Sequence, residues 1–476
     1  MPFLSQSIHD TLSFRLEPWN RSFQFWFRVA DIYSGYKMCQ LRTRFIKDDV
    51  AREVLWEKQH EIAAEKIFSM CYDLGGLFLK GAQLIGKPDL APSAWVKKLV
   101  TLCDNAPATP FSIVKLTLEE ELGQRFDLIF DTFDPHPVGS ASIAQVHRAR
   151  LRGATNDVAV KVQHPGVRRL MMTDINNMQA FVLFLQKTDI KADLFSMTKE
   201  MEKQIGYEFD FLREADAMKR IRKFVYAANK KPPVLIPREI SGMTTRRVLV
   251  MDFIEGIPIL NLEIEMVMRG INPSGKISDA AKKNILKNLT NAYGQMILKS
   301  GFFHADPHPG NILICKNSEV ALLDYGQVKH LPEYLRLGYA NLVLAMADND
   351  PLRAVQSYKD LGIETSSTCA DESKELLQLA RSMFDTKLPP GVTILSPFAE
   401  DSSLQKVSVP SFPEELFSVL RTMQLLRGLS VGMGVNYSCA EQWRPIAEET
   451  LHKAGKLKDF ELRSRKQGVL RKKLGR

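Results

Sequence analysis

Three oxygen-bearing side chains in the second half of the chain have the spacing of a phosphoryl-transfer centre. Asp306 and Asn311 stand in His304-Ala305-Asp306-Pro307-His308-Pro309-Gly310-Asn311, and Asp324 follows thirteen residues later in Asp324-Tyr325-Gly326. A carboxylate such as Asp306 can orient or deprotonate an attacking hydroxyl group. Asn311 and Asp324 carry the oxygen atoms that Mg²⁺ prefers as ligands. The sequence therefore predicts Asp306 as a catalytic residue and the other two as metal ligands.

The same skeleton, His-x-Asp-x-x-x-x-Asn followed by Asp-x-Gly, occurs in the catalytic loop and metal motif of protein kinases. Zinc binding is the competing interpretation for His304 and His308, but they lack a compact third and fourth ligand. We therefore interpret both histidines as residues that pack the loop.

A segment of small residues farther upstream matches the kinase loop that covers nucleotide phosphates. The loop pattern G-x-G-x-x-G-x-V is met at Gly139 and Val146, and alanine stands at the two other glycine positions, Ala141 and Ala144. Glycine lets backbone N–H groups approach phosphate oxygens, whereas alanine loses much of the freedom at positive φ. We expect a stiffened nucleotide-binding loop whose contacts come from Gly139, Ser140, Ala141, Ser142, Ala144 and Val146.

Lys161 follows this loop at a workable distance for a phosphate-binding lysine. It ends Val158-Ala159-Val160-Lys161, a strand-like segment 17 residues after Ala144. In kinases the V-A-I-K strand places a lysine on the α- and β-phosphates. The loop and the strand come in the expected order, so we predict a catalytic and nucleotide-binding role for Lys161.

A kinase-like site also needs a helical carboxylate that holds this lysine in place. Tyr207-Glu208-Phe209-Asp210-Phe211-Leu212-Arg213-Glu214 offers two candidates, Glu208 and Glu214. Six residues on a helix separate their directions by about 120°, so only one can face Lys161 squarely. Helical periodicity alone leaves both open.

Short strands and long helices must position these groups, which predicts an α+β fold. Helical patterns cover residues 14–99, 168–225, 280–300 and most of the chain beyond 331. Strand patterns cover 146–151, 158–162 and 247–254, and 312–314 with 320–323 suggest a hairpin. We predict a helical extension at 1–110, an N-lobe at 111–255, a helical C-lobe at 256–455 and a basic tail at 456–476.

The segment after Asp324-Tyr325-Gly326 is short. Leu331-Pro332-Glu333 follows almost at once and leaves no room for an ordinary activation loop. Because that loop normally helps to form a platform for peptide substrates, a small-molecule or lipid substrate, or simple ATP turnover, is favoured over a protein substrate.

Charge and hydropathy restrict the remaining functions. Of the formal net charge of +9, residues 453–476 carry +8, so the basic pI does not indicate a nucleic-acid-binding core. No secretory signal and no transmembrane stretch are expected, and the spacing of the six cysteines favours reduced thiols over zinc. An aromatic stripe comprises Trp19, Phe23, Trp26, Phe27, Ala30 and Tyr33. We favour packing of this stripe on the protein core, with an interfacial membrane helix as the alternative.

Together, the motifs resemble the UbiB family of atypical kinases, also called aarF-domain-containing kinases. The markers are the alanine-bearing loop, Glu208-Phe209-Asp210 as the family's Glu-x-Asp, and His304 to Asn311. Lys80-Gly81-Ala82-Gln83 is similar to the family's Lys-x-Gly-Gln, with Ala82 in place of glycine. The resemblance implies a bilobal protein-kinase-like fold with a helical N-terminal extension and a predominantly helical C-lobe.

The resemblance also implies roles for individual residues. Glu214 becomes the expected partner of Lys161. Glu208 and Asp210 are expected to contact Lys80 and Gln83, and these four form a regulatory set that restricts access of protein substrates. By the same likeness, the residues that bind nucleotide beside the loop are Met251, Asp252 and Phe253.

The leading hypothesis is an ATP- or ADP-binding, Mg²⁺-dependent phosphotransferase or ATPase in quinone or isoprenoid-lipid metabolism. The alternative is a nucleotide-binding pseudokinase scaffold without phosphoryl transfer, and an ordinary protein kinase is disfavoured. Expected partners are a nucleotide, a lipid or quinone precursor and a membrane surface, but no nucleic acid. By family likeness, we expect an intracellular location at a mitochondrial or plastid membrane.

Overall fold

The structure, a computed structural model, describes residues 2–79, 81, 92–99, 108–189, 194–367, 371–387 and 407–457. The chain forms two compact units. The first comprises Met1–Leu212 and Ile240–Phe253, and the second comprises Arg213–Glu239 and Ile254–Arg476. The four-part division given above stays a prediction.

The described part of the first unit begins with α1 (Pro2–Thr43), α2 (Asp49–Leu74) and α3 (Ser93–Leu99). Asp48 begins α2 because its carboxylate accepts the Val50 N–H at 3.1 Å, and Gly75 ends it at a φ of +61°. One hydrophobic cluster joins these helices and includes Phe25, Val29, Ile67, Phe78 and Leu99.

A six-stranded sheet forms the rest of the first unit with its flanking helices. In chain order the elements are α4 (Phe111–Leu122), α5 (Phe126–Ile129), β1 (Phe130–Phe133), β2 (Gly139–Ser140), β3 (Ala144–Leu151), β4 (Asp157–Gln163), α6 (Val167–Thr188), α7 (Leu194–Glu208), α8 (Phe211–Ala228), β5 (Glu239–Thr244) and β6 (Val248–Asp252). The strand order is β1-β3-β4-β6-β5, with β2 also paired to β3. Val158, Val160 and Val162 of β4 are buried in a core shared with α4. From Arg213 onward, α8 belongs to the second unit.

The second unit is mostly helical, with small antiparallel sheets around one loop. Its elements are β7 (Ile257–Pro258), α9 (Leu262–Met268), α10 (Lys276–Gly294), β8 (Phe302–His304), β9 (Ile312–Ile314), β10 (Val320–Leu322), β11 (Val328–His330), α11 (Glu333–Asp348), α12 (Pro351–Asp360), β12 (Glu364–Ser367), α13 (Glu372–Phe384), β13 (Val407–Ser411), α14 (Glu414–Gly432) and α15 (Cys439–Lys453). A π-helical turn, Gln295–Ser300, continues α10. Gly301 ends it at a φ of +67°, where a Cβ atom would lie 2.9 Å from the Leu331 carbonyl oxygen.

Most of the predicted elements are confirmed in the described part of the chain. The strands β3, β4 and β6, the hairpin of β9 and β10, and the helix ending at Gly301 lie where the patterns placed them. The helical pattern at 168–225 is divided into α6, α7 and the start of α8. Strands β8 and β11 were not predicted, and each has only three residues.

The interpretation of the aromatic stripe on α1 needs correction. Core packing was favoured, yet Trp19, Phe23 and Phe27 are 77%, 71% and 68% exposed. Trp26 and Tyr33 do pack: the Trp26 indole N–H donates to Asn177 at 3.2 Å, and the Tyr33 hydroxyl donates to Asp189 at 2.9 Å. The stripe therefore divides between two sides of one helix. None of the described helices is both long and apolar enough to cross a membrane.

Candidate functional site

The predicted phosphate loop is the connection between β2 and β3. Gly139 pairs with Val146, and the Ala141 N–H donates to the Ala144 carbonyl at 2.9 Å, which closes a tight hairpin. Positive φ angles in the described chain occur at other glycines and at three asparagine or serine residues, none of them in this loop. Alanine therefore fits here without backbone strain, because the loop does not use the conformation that glycine alone favours.

Lys161 lies in the middle of the sheet. In β4 it pairs with Val146 on one side and with Leu249 of β6 on the other. Its ammonium nitrogen lies 5.0 Å from the centre of the Phe211 ring, a cation–π distance. The sheet register therefore places this lysine directly beside the strand that continues from the phosphate loop.

The predicted nucleotide-binding residues Met251, Asp252 and Phe253 stand at the end of β6. Met251 pairs with Ala159 and Asp252 pairs with Val158. The Phe253 N–H donates to the Asp157 carbonyl at 3.2 Å, and the Arg148 guanidinium lies 4.6 Å from its ring centre.

The predicted regulatory residues are only partly described. Glu208 is the last residue of α7. Asp210 lies just before α8, and its carboxylate accepts the Leu212 N–H at 3.2 Å, as a helix-capping residue does. Lys80 and Gln83 lie outside the described residues, so their contacts with these acids stay a prediction.

Backbone hydrogen bonds shape the loop that carries Asp306 and Asn311. The His308 N–H donates to the Asp306 carbonyl at 2.7 Å, and the Asn311 N–H donates to the His308 carbonyl at 2.9 Å. The Asn311 side-chain amide also donates to the Asp306 carbonyl at 3.4 Å. These bonds hold the two residues in one tight turn between β8 and β9.

His304 is buried and contacts the backbone of the Asp324-Tyr325-Gly326 segment. Its Nε2 lies 2.5 Å from the Asp324 carbonyl oxygen, and its Nδ1 lies 2.5 Å from the Tyr293 hydroxyl. A carbonyl only accepts, so Nε2 carries the proton and Nδ1 accepts from the tyrosine. Burial lowers the pKa of His304, which favours this neutral form. His304 thus packs the loop as predicted, and the exposed His308 accepts the Gly310 N–H at 3.2 Å.

Asp324 and Asn311 are joined through their neighbours. The Leu323 N–H donates to the Asn311 carbonyl at 3.0 Å, and the Gly326 N–H donates to Asp324 Oδ1 at 2.8 Å. The side-chain amide nitrogen of Asn311 donates to the Asp306 carbonyl, so the side-chain oxygen of Asn311 is the atom suited to bind a metal ion. One carboxylate and one amide oxygen fit the hard-donor preference of Mg²⁺.

Glu214 lies within the second unit, in the first turn of α8. It is 4% exposed, and its Oε1 accepts the Tyr325 N–H at 3.4 Å. The carboxylate is therefore tied to the backbone of Asp324-Tyr325-Gly326. Its pairing with Lys161 stays a prediction.

The segment after Gly326 is as short as the sequence indicated. β11 pairs antiparallel with β8, joining Val328 to His304 and His330 to Phe302. Helix α11 begins at Glu333, directly after Pro332. After Gly326 the chain thus pairs with β8, the strand that leads into the Asp306 loop, and enters a helix without an intervening activation loop.

Sequence reasoning missed one charged neighbour of Asp306. The Arg421 guanidinium on α14 lies 3.1 Å from Asp306 Oδ1, and the hydroxyl oxygen of the next residue, Thr422, lies 3.4 Å from the Ala305 carbonyl oxygen. The Arg421 side chain is 44% exposed and that of Asp306 is 18% exposed. Residues 302–314 contain no lysine or arginine. This absence of a local cation was the one sequence signal that a distant residue would pair with Asp306.

Comparison with known proteins places the chain among atypical kinase-like proteins. A family model described as the ABC1 atypical kinase-like domain matches residues 101–358. An AarF domain-containing protein kinase 1 of Xenopus laevis is 30% identical over 390 residues, covering 80% of this chain and 72% of that protein. A chloroplastic Arabidopsis thaliana protein named ACTIVITY OF BC1 COMPLEX KINASE 3 is 28% identical over 386 residues, covering 80% of this chain and 52% of that protein.

The chain thus spans about half the length of the plant relative. Among solved structures, an erythromycin complex of a Mycobacterium tuberculosis protein has a TM-score of 0.53 at 21% identity. That match covers 84% of this chain and 98% of the other. At this identity it supports the fold alone, and the predicted α+β fold is confirmed.

Proposed function

Because the chain belongs to the ABC1, or aarF-domain, family of atypical kinase-like proteins, we propose that it is a Mg²⁺-dependent phosphotransferase or ATPase. The observation that carries the proposal is the hydrogen-bonded frame of the catalytic loop, in which His304 and the Asn311 backbone hold the Asp324 segment beside Asp306. Loops of this kind act by positioning and electrostatics.

Each residue then has a task in phosphoryl transfer. Asp306 orients the attacking hydroxyl or water and accepts its proton. Lys161 binds the α- and β-phosphates, and the β2–β3 loop offers backbone N–H groups to phosphate oxygens. Mg²⁺ held by Asn311 and Asp324 would neutralise phosphate charge and align the leaving oxygen.

We further propose a small-molecule or lipid acceptor in quinone or isoprenoid metabolism, at an organellar membrane surface. The short segment between Gly326 and Glu333 supports this, because it offers no platform for a peptide. The chloroplastic name of the plant relative is compatible with an organellar site. The exposed Trp19, Phe23 and Phe27 on α1 suit contact with the headgroup region of a bilayer.

A second candidate is a pseudokinase scaffold that binds nucleotide without transferring phosphate. The observation in its favour is the ion pair between Arg421 and Asp306, which occupies the carboxylate that must act as the base. Nucleotide turnover separates the two candidates, because only the first requires it.

Thermal unfolding with ATP or ADP, with and without Mg²⁺, tests the shared part of both proposals. A ligand at 100 times its Kd adds about 2.7 kcal/mol to the stability of the native state. We expect metal-dependent stabilisation in the wild type and its loss in Lys161→Ala and Asp324→Asn. No stabilisation of a folded wild-type sample by either nucleotide would refute nucleotide binding.

A further inference from the structure

A side-chain network lies beside the phosphate loop, centred on the buried Gln145. Its Oε1 accepts the Thr109 N–H at 2.6 Å, and its Nε2 donates to the Thr109 carbonyl at 3.1 Å. The same Nε2 lies 2.8 Å from His147 Nε2. The side chain thus pairs with both backbone groups of Thr109 and anchors it to β3.

His164 connects the anchored Thr109 to the loop itself. The Thr109 hydroxyl lies 2.7 Å from His164 Nδ1, and His164 Nε2 lies 3.0 Å from the Ala141 carbonyl oxygen. The His164 N–H also donates to the Ile143 carbonyl at 2.9 Å. One histidine therefore holds two loop carbonyls.

Only one arrangement of protons satisfies every member of this network when both histidines are neutral. The Ala141 carbonyl only accepts, so His164 Nε2 carries the proton and Nδ1 accepts from the Thr109 hydroxyl. His147 Nδ1 donates to the Asp134 carbonyl at 2.8 Å, which leaves Nε2 to accept from Gln145. Burial lowers the pKa of both histidines, in agreement with neutral rings.

The bond to Ala141 sets the direction of the next amide. In a trans peptide the C=O and the following N–H point in opposite directions. With the Ala141 carbonyl held towards His164, the Ser142 N–H must point away from it. In the described part of the chain this N–H donates to no backbone carbonyl, so it is available to an external acceptor.

We propose that Thr109 and His164 are positioning residues of the phosphate loop, which fix the Ala141 carbonyl and thereby aim the Ser142 N–H at a nucleotide phosphate. The proposal rests on the nucleotide binding proposed above. It also explains how the loop keeps a defined shape with alanine in the glycine positions, where both the β and the right-handed α regions would otherwise be open.

Two substitutions of His164 separate its two hydrogen bonds. The Nε2 of glutamine is as many bonds from Cα as the Nε2 of histidine, so His164→Gln keeps a donor for Ala141. The shorter asparagine side chain in His164→Asn still reaches the Thr109 hydroxyl but no longer reaches the Ala141 carbonyl. Thr109→Val and Thr109→Ser form the second pair, since only serine keeps the hydroxyl.

Two readouts are measured on the full chain: the Kd for Mg²⁺-ADP and the hydrogen exchange of a peptide covering residues 139–146. One lost hydrogen bond corresponds to about a fivefold change in either quantity. We expect about fivefold weaker binding and faster exchange in His164→Asn and Thr109→Val. His164→Gln and Thr109→Ser should stay within about twofold of the wild type.

Equal exchange and equal Kd in the wild type and His164→Asn would overturn the proposal. Equal losses in His164→Gln and His164→Asn would also overturn it, because they would indicate a general packing role. A wild type that binds no nucleotide would refute the proposed function, and the exchange measurement would then still decide whether Thr109 and His164 hold the loop.

Discussion

Replacing Tyr293 and His304, singly and together, should show that they share one buried hydrogen bond. The Tyr293 hydroxyl lies 2.5 Å from His304 Nδ1, and both side chains are almost fully buried. Tyr293→Phe leaves Nδ1 without a donor, which costs about 1–3 kcal/mol of unfolding free energy. His304→Phe leaves both the tyrosine hydroxyl and the Asp324 carbonyl without a partner, so its cost is about 2–6 kcal/mol.

The double variant leaves only the Asp324 carbonyl without a partner. Its destabilisation should therefore be smaller than the sum of the single effects by about 2–6 kcal/mol, because neither the unpaired Nδ1 nor the unpaired hydroxyl is present in it. Urea unfolding of the four proteins at neutral pH measures this coupling. Additive effects, within about 0.5 kcal/mol, would refute the shared bond and the neutral state assigned to His304.

Three further predictions concern charge, pH and membranes. If the phosphotransferase proposal holds, Arg421→Met should lower kcat about 100-fold because the Asp306 carboxylate loses the guanidinium that orients it, and it should change stability by less than about 1 kcal/mol because the pair is half-exposed. Burial lowers the pKa of His304. As the pH falls, His304 in the unfolded chain therefore binds a proton near pH 6.5, before His304 in the folded chain does, and the free energy of unfolding should decrease below that pH. In urea titrations, His304→Phe should show a weaker dependence of this free energy on pH. Serine at Trp19, Phe23 and Phe27 should reduce co-sedimentation with anionic liposomes at least tenfold, since each buried aromatic side chain contributes about 1.5–3 kcal/mol.

Matched variants separate these effects from general damage. Arg125→Met, at an exposed position, is the control for Arg421→Met. Unchanged or increased turnover in Arg421→Met would contradict the prediction and would indicate that Arg421 restrains Asp306. If the free energy of unfolding changes with pH at the same slope in the wild type and in His304→Phe, His304 is not the source of that pH dependence. Leu116→Ser removes an exposed leucine from another helix and is the control for the serine variant of α1. If both variants lose liposome binding equally, the aromatic face of α1 is not a specific membrane contact.

Local patterns predicted the elements of the site well. Alternating valines indicated β4, and the turn signals before Val158 and the apolar runs beside Asn311 indicated the two hairpins. These features depend on neighbours in sequence, so a single sequence carries them. The family resemblance added the choice of Glu214 as the partner of Lys161, which stays a prediction.

Contacts between distant residues could not be predicted in the same way. Arg421 lies more than 100 positions after Asp306 on a separate helix, and β11 is too short to show a strand period. Whether alanine strains the phosphate loop depends on φ angles that composition does not report, and no described residue of the loop has a positive φ. The division of the aromatic stripe on α1 depended on which helices pack against it.

ATP hydrolysis by the purified chain, measured as phosphate release with Mg²⁺, is the direct test of phosphoryl transfer. We predict turnover in the wild type that is lost in Asp324→Asn and retained in Asp279→Asn, an exposed carboxylate on α10. Equal signal in the wild type and Asp324→Asn would contradict a catalytic metal site. Nucleotide binding without any turnover would instead support the scaffold.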